Sequence, residues 1–502
     1  MNRPLIVWLG WAFIAMTRLD SAPRPVALFS DHAVLQRGVP VPVWGKAEPG
    51  EQIRVSYRDV AGEAVTDENG RWRLMLPALK SGPAGELIIE GETRIVVSDV
   101  IVGDVWFCSG QSNMGWTMAK SHESQGDIAS ADMPLIRRFR VERQASDEPL
   151  DEVKGEWVLS TPKVVPGWTA VGFYFARELH RHTGAPVGLL QASIGGTDIE
   201  TWMSPRAIDS SVAGAAVRSR WVELLETYPQ RKATYDTEQA AWKERKLNAG
   251  KTESAFSEDE PRAPIGPDSG SRPSRYFNGM VNPVIPYAIC GLLWYQGENN
   301  AGRFEDYADL QVRLIRDWRE RWSNPALPFL FVQIPAISSR NATGQGWALF
   351  REAQSKALAE PATGMAVTID VGGPSAHPPY KRPVGERLAL LARTVAYGET
   401  GVPASPRLLS ATPDGSRLLL RFDSGGSPLV LREPGKSPAF FIAGSDKKFS
   451  PARAQLIDGM IALEADAVSK PVYVRYACQN YPAVTLYNTE GLPAAPFRTD
   501  SH

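Results

Sequence analysis

Little in this chain supports chemistry through thiols, metals or nucleic acid. Its 502 residues include only three cysteines, Cys108, Cys290 and Cys478, with no C-x-x-C pair and no metal-ligand spacing among them. A disulfide framework and a metal centre are therefore not expected. Cys108 and Cys290 lie in apolar runs, which predicts buried free thiols rather than nucleophiles. Excess charge of one sign is also missing: 55 Lys and Arg stand against 56 Asp and Glu, and no dense basic run occurs. That balance excludes the footprint of a nucleic-acid or anionic-membrane binder and fits a neutral partner better. Beyond the first sixteen residues, no apolar stretch approaches membrane-spanning length.

The opening MNRPLIVWLGWAFIAM places Arg3 before an apolar stretch from Leu5 to Met16, the proportions of a signal-peptide core. Residues 1–22 are thus expected to be removed on export to the periplasm or the extracellular space. Ala22 is a tolerable last residue, although Asp20 fits a cleavage site poorly. From 25 to 99 short alternating apolar stretches (VPVPVWG, EQIRVSY, GRWRLML, GELIIEG) are separated by turn signals, which predicts a small antiparallel β-domain in which His32 and Trp44 pack. After about 100 the texture changes. Strands are expected at 104–108, 187–192, Gly291–Tyr295, 328–334 and 365–370, with helices at 171–182, 305–322 and 348–360 between them. Such alternation predicts an α/β domain, 100–403, built on a doubly wound parallel sheet whose ligands bind beyond the carboxyl ends of the strands.

The stretch 209–274 interrupts that pattern. Its first half is helical and amphipathic, while 248–274 is rich in Ser, Pro, Gly and Asp. It reads as an insertion with a flexible tip, a solvated excursion more than a lid. From 404 to 502 strands return (RLLLRF, PLVLRE, FFIAG, MIALEA, VYVRYA), giving a second small β-domain and a return segment.

Polar and glycine-rich groups follow each sheet strand: Gly110-Gln111-Ser112-Asn113, then Ser193-Ile194-Gly195-Gly196-Thr197, then Gln296-Gly297-Glu298-Asn299-Asn300, and finally Asp370 with His377. A serine at a strand tip, with glycine two positions before it, is poised as a nucleophile. The segment FCSGQSNMGW is not a G-x-S-x-G elbow, because Met114 replaces the second glycine. Serine chemistry needs a base, and histidine is scarce, six in all. His502 is terminal, and His32 belongs to the first β-domain. His180 and His182 end a helix, where a cation complements the dipole. His122 follows Ser112 on the next element. His377 alone follows a sheet strand at its carboxyl end, in a loop stiffened by Pro378 and Pro379, and is the expected base.

Together FCSGQSNM, IGGTDIETWM, YFNGMVNPVIP, LLWYQGENNAG, the His377 loop and LYNTEGLPAAPFRTD resemble the sialate O-acetylesterase family of SGNH-type carbohydrate esterases, in register from VLQRGVPVPVWG to PFRTD. The resemblance implies an SGNH-hydrolase-like sheet flanked by the two β-domains. It also implies hydrolysis of sugar acetyl esters with Ser112 as nucleophile and His377 as base, and no metal or organic cofactor. Matching blocks give the oxyanion donors as the backbone N–H of Ser112, that of Gly196 or Gly195, and a side-chain amide, Asn300 by the closer pattern or Asn299 by the general one. The orienting acid departs from the family pattern: Pro374 and Ser375 occupy the positions where an aspartate precedes the histidine. Asp370 is the first substitute and Glu298 the second, with a Ser-His dyad held by a backbone carbonyl as the third option. Gln111 is a further acid-side or substrate contact. A glycan-binding protein with a decayed site, and a thioesterase or lipase on the same scaffold, are the alternatives; intact Ser112 and His377 argue against the first, and the lack of a long apolar lid against a lipase.

Overall fold

The apolar run before Gly110 becomes one continuous strand, β1 (Arg94–Gly110), that joins two parts of the molecule. Its first half pairs antiparallel with the Gly85–Glu90 strand of the N-terminal region, and its second half runs parallel between two strands of the main sheet. The protein is seen here in a computed structural model that describes residues 22–251, 256–338, 345–433 and 437–500. The expected signal peptide, Ala22 apart, lies outside the described residues.

The main sheet further contains β2 (Met133–Arg140), β3 (Trp157–Ser160), β4 (Val187–Ser193), β5 (Gly291–Tyr295), β6 (Phe329–Val332) and β7 (Thr363–Ala366). Their spatial order is β3-β2-β4-β1-β5-β6-β7, parallel throughout except for β3. The chain moves to one side of β1 for β2 to β4 and to the other for β5 to β7. The order therefore reverses at β1, and a crevice opens beyond its carboxyl end.

Successive residues of each strand face opposite layers, which is why these strands read as unbroken apolar runs. Trp106, Cys108, Leu293 and Leu330 pack with Phe175 and Leu388 on one face, from helices α2 (Ala170–Thr183) and α6 (Arg382–Val395). Phe107, Trp294 and Phe331 pack with Trp318 and Phe350 on the other, from α4 (Phe304–Arg321) and α5 (Gly346–Ser355). Helix α2 begins at the Thr169 side chain, which accepts the Gly172 N–H at 3.2 Å, and stops at Gly184 with φ of 66°.

In the N-terminal region the alternation seen in sequence is obeyed: Trp72, Leu74 and Leu76 of the Arg71–Leu76 strand point inward. The C-terminal strands dock on the α/β layer, where Asn480 accepts the N–H groups of Ile337 and Ala348 and Arg498 pairs with Glu352 at 2.8 Å. Within the insertion, α3 (Val212–Lys251) is a single long helix, and the irregular segment after it folds back along it. Trp242 donates to the Glu258 carbonyl, Gln239 to Glu260, and Arg231 to the Ile265 carbonyl. The described part of the expected flexible tip is thus tied to the helix by hydrogen bonds. Among the described residues no helix is long and apolar enough to cross a membrane.

Candidate active site

Gly110, the last residue of β1, adopts φ of 135°, and a Cβ there would lie 2.1 Å from the Tyr295 carbonyl oxygen. Only glycine permits this close crossing of β1 and β5. It turns the chain into the single-turn helix α1 (Ser112–Gly115) and lifts Ser112 to the sheet's edge. The turn is pinned to α2: Thr169 Oγ1 donates to the Met114 carbonyl at 2.6 Å, and the Ala170 N–H to the Trp116 carbonyl at 2.8 Å.

His377 reaches this turn from the other side of the crevice, with its Nε2 2.6 Å from Ser112 Oγ. These residues are 265 positions apart and meet because β1 and β7 both end on this edge of the sheet. The imidazole lies nearly parallel to the Trp116 ring, 5.8 Å between centroids at 16°. Burial, and then the charge of Lys381, hold the His377 pKa below its ordinary value, so the ring is neutral and ready to accept a proton at pH 7.

The structure does not bring Asp370 to the histidine. Asp370 sits in a short turn after β7, and Arg387 of α6 grips both its carboxylate oxygens, at 2.7 and 2.6 Å. Both side chains are largely buried, and the bidentate guanidinium holds the carboxylate on α6. Asp370→Asn is therefore expected to destabilise the fold by about 1–3 kcal/mol through loss of Arg387's counter-charge, while kcat stays within about tenfold of wild type. A melting curve and a turnover assay on the same sample check both halves. Among the described residues no carboxylate comes within 4.0 Å of the His377 ring, and its Nδ1 bonds no protein group. Nor does a backbone carbonyl hold it, as the dyad option supposed. The loop is fixed instead by its own backbone: the His377 N–H bonds Ser375 Oγ at 3.1 Å, and the Pro379 carbonyl accepts the His122 N–H at 3.0 Å.

What the sequence did not single out is Asn113, beside the nucleophile and fully buried. Its amide donates to the Ala376 carbonyl at 2.8 Å and to Glu298 Oε1, tying the serine turn directly to the histidine loop. Its Oδ1 accepts from Lys381 Nζ at 2.5 Å. Lys381 is 1% exposed, and its ammonium lies 5.5 Å from the Trp116 ring centre and 5.4 Å from that of Tyr295. Burial pulls its pKa down to about 7, against the opposing pull of Glu298. Glu298, the second acid candidate, is thus placed behind the serine on Asn113. Its Oε2 is shut off from solvent without a partner among the described residues, and burial pushes its pKa up.

The oxyanion candidates divide. Gly195 stands against the nucleophile, its missing Cβ 3.4 Å from Ser112 Cβ, and Gly196 follows in the left-handed region at φ of 70°. Neither these two backbone N–H groups nor that of Ser112 is used by another described residue, as a cradle for an oxyanion requires. Asn300 is otherwise engaged: its Oδ1 accepts from the Ile199 N–H and from Gln296, and its Nδ2 donates to Glu200 at 3.0 Å. Asn299 likewise gives its amide to Asp198 at 2.8 Å. Both asparagines therefore tie the loop after β4 to the loop after β5, and each amide nitrogen keeps a second N–H beyond these bonds. Gln111 is buried, accepts the Gly297 N–H through Oε1 at 3.4 Å, and keeps its amide nitrogen free of described partners. All three cysteines are free thiols, Cys108 buried beneath the site with its pKa pushed up by desolvation. Among the described residues no cluster of three or more His, Cys, Asp or Glu side chains is arranged to hold a metal ion.

Known proteins share this arrangement of chain. A family model for sialic acid-specific acetylesterases, carbohydrate esterases, matches residues 102–223 and 274–383, leaving out most of the insertion. Sialate O-acetylesterase of Mus musculus is 28% identical over 507 residues, covering 91% of this chain and 90% of its own; the Homo sapiens protein is 27% identical over 71% of this chain and 68% of its own. The crystal structure of a carbohydrate acetylesterase from Xanthomonas citri superposes with a TM-score of 0.80 at 36% identity, covering 96% of this chain and all of the other. A sheet that reverses at a serine-bearing strand, a histidine brought to that serine, and near full-length similarity at this level place the chain in the sialate O-acetylesterase family of carbohydrate esterases.

Proposed function

We propose that this protein hydrolyses O-acetyl esters of carbohydrates through an acetyl-enzyme on Ser112. The observation that carries the reading is the 2.6 Å contact between Ser112 Oγ and His377 Nε2, the nucleophile-base geometry that acyl transfer needs. In the first half-reaction His377 takes the hydroxyl proton as Oγ attacks the acetyl carbonyl. The oxygen that becomes anionic is held by the free N–H groups of Ser112 and Gly195 or Gly196. Collapse of the tetrahedral intermediate breaks the ester C–O bond, and the departing sugar oxygen recovers the proton from the imidazolium. Water then attacks the acetyl-enzyme, His377 again accepting the proton, and acetate leaves with Ser112 restored.

Among the described residues no carboxylate bonds the His377 imidazole. Positioning falls to the Trp116 ring and to Asn113, which holds the serine turn and the histidine loop at a fixed separation. The chain's near-neutral charge suits a glycan substrate, and the apolar segment at its start supports export. Measuring acetate release from acetylated xylan, acetylated xyloglucan oligosaccharides, O-acetylated sialic acid and 4-nitrophenyl acetate tests the reading. Release from at least one glycan, undiminished by EDTA, is expected, whereas release from the aryl ester alone contradicts a carbohydrate substrate.

A further inference from the structure

A cavity of about 130 Å³ lies beside the catalytic edge, walled on one side by the loops that follow β4 and β5 and on the other by the insertion. That is far more than the roughly 10–15 Å³ a single water needs. The first wall supplies Asp198, Glu200 and Arg303; the second supplies Arg220 and Trp221 of α3 and Ile265 of the segment folded back on it. Asp198 is three residues past Gly195, which stands against Ser112, so the cavity begins within about 11 Å of Gly195 along the chain.

We infer that this cavity is a subsite for a neutral sugar residue next to the acetylated one, with the insertion as its outer wall. The inference rests on the acetylesterase reading and adds to it the class of glycan. Three features of the lining carry it. Trp221 lines the cavity, is half-buried and stacks on no other described aromatic ring, and so is the lining's platform for an apolar sugar face. The Nη2 of Arg220 is buried without a partner among the described residues, although its Nη1 holds Asp306 at 2.7 Å, which leaves a directed donor for a sugar oxygen. Asp198 and Glu200 share the single guanidinium of Arg303, each at 2.7 Å, and so offer acceptors for sugar hydroxyls.

The same charges argue against an anionic sugar. Two carboxylates lean on one Arg303, and Asp306 behind the lining already pairs with Arg220, so the lining with that counter-ion carries one surplus negative charge. Burial and the nearby charge of Glu200 push the Asp198 pKa up to about 6, the response of a carboxyl that is short of positive partners. A sialic acid carboxylate entering here would add a further anion.

The test compares Trp221→Ala with wild type on acetylated xylo-oligosaccharides, O-acetylated sialic acid and 4-nitrophenyl acetate, with melting curves to establish folding. The subsite predicts that kcat/KM on the neutral oligosaccharide falls at least tenfold further than on the aryl ester, mainly through KM. Ile265→Glu, at an exposed position, should lower the same ratio even where the tryptophan variant fails to fold. Equal losses on all three esters, or a loss confined to the sialic acid ester, overturn the subsite. Wild-type protein inactive on every ester overturns the acetylesterase reading itself, which separates the two failures.

Discussion

Ser112→Ala is expected to lower turnover of acetyl esters by about 10⁴-fold or more, with the melting temperature within about 2 °C of wild type. The size follows from covalent catalysis: without Oγ no acetyl-enzyme forms, and only the oxyanion cradle and substrate binding remain to assist water. The fold should survive because the hydroxyl makes one protein contact, to His377, and sits at the crevice and not in either core. Activity within about tenfold of wild type would move the nucleophile elsewhere.

The second large effect should come from a residue that touches neither the nucleophile nor the base. Lys381→Met removes the positive charge that helps hold the His377 pKa down, and a neighbouring cation disfavours the imidazolium. Its removal therefore raises the pKa of the base. Because catalysis needs the neutral ring, the low-pH limb of kcat/KM should move to higher pH, and the variant should lose more at pH 5.5 than at pH 8. Lys381 keeps its proton below about 7, so its charge is present across that limb in the wild type. Asn113 also loses a bond at Oδ1, so kcat should fall on the order of tenfold to a hundredfold even at the plateau. Asn113→Ala gives the complementary result: it removes the tie to Ala376 while Lys381 remains, so the plateau should drop without the upward shift. An unshifted limb in Lys381→Met would show that the lysine only fills space.

Much of this site was legible in the residues themselves. Ser112 and His377 could be paired because each follows a strand of a parallel sheet, and a parallel sheet brings such ends to one edge whatever their separation in sequence. The main helices were equally plain, since a 3.6-residue apolar period survives without knowledge of neighbours. The strands Met133–Arg140 and Trp157–Ser160 were missed; the first carries three arginines, Arg137, Arg138 and Arg140, which mask an edge-region strand's apolar pattern.

The partners of the other candidates were hidden for a common reason. Asp370, Asn300 and Asn299 carry suitable groups at the right end of the right strands, but a sequence does not show that Arg387, Glu200 and Asp198 have already claimed them. Lys381 was invisible for the opposite reason. A lysine two residues after a pair of prolines reads as solvated, and only the packing of Trp116, Tyr295 and Asn113 around it reveals a buried ammonium. Asn113 stood within a motif already singled out, yet its neighbour Ser112 absorbed the chemistry assigned to that motif.

The central claim, that Ser112 is the nucleophile made reactive by His377, is tested most directly by mapping the site of covalent modification. Wild-type protein treated with a fluorophosphonate should acquire one label, on the peptide carrying Ser112. Its labelling rate should rise with pH through a pKa below the usual histidine value and fall by orders of magnitude in His377→Ala. A label on any other residue, or an undiminished rate in the histidine variant, would contradict the account.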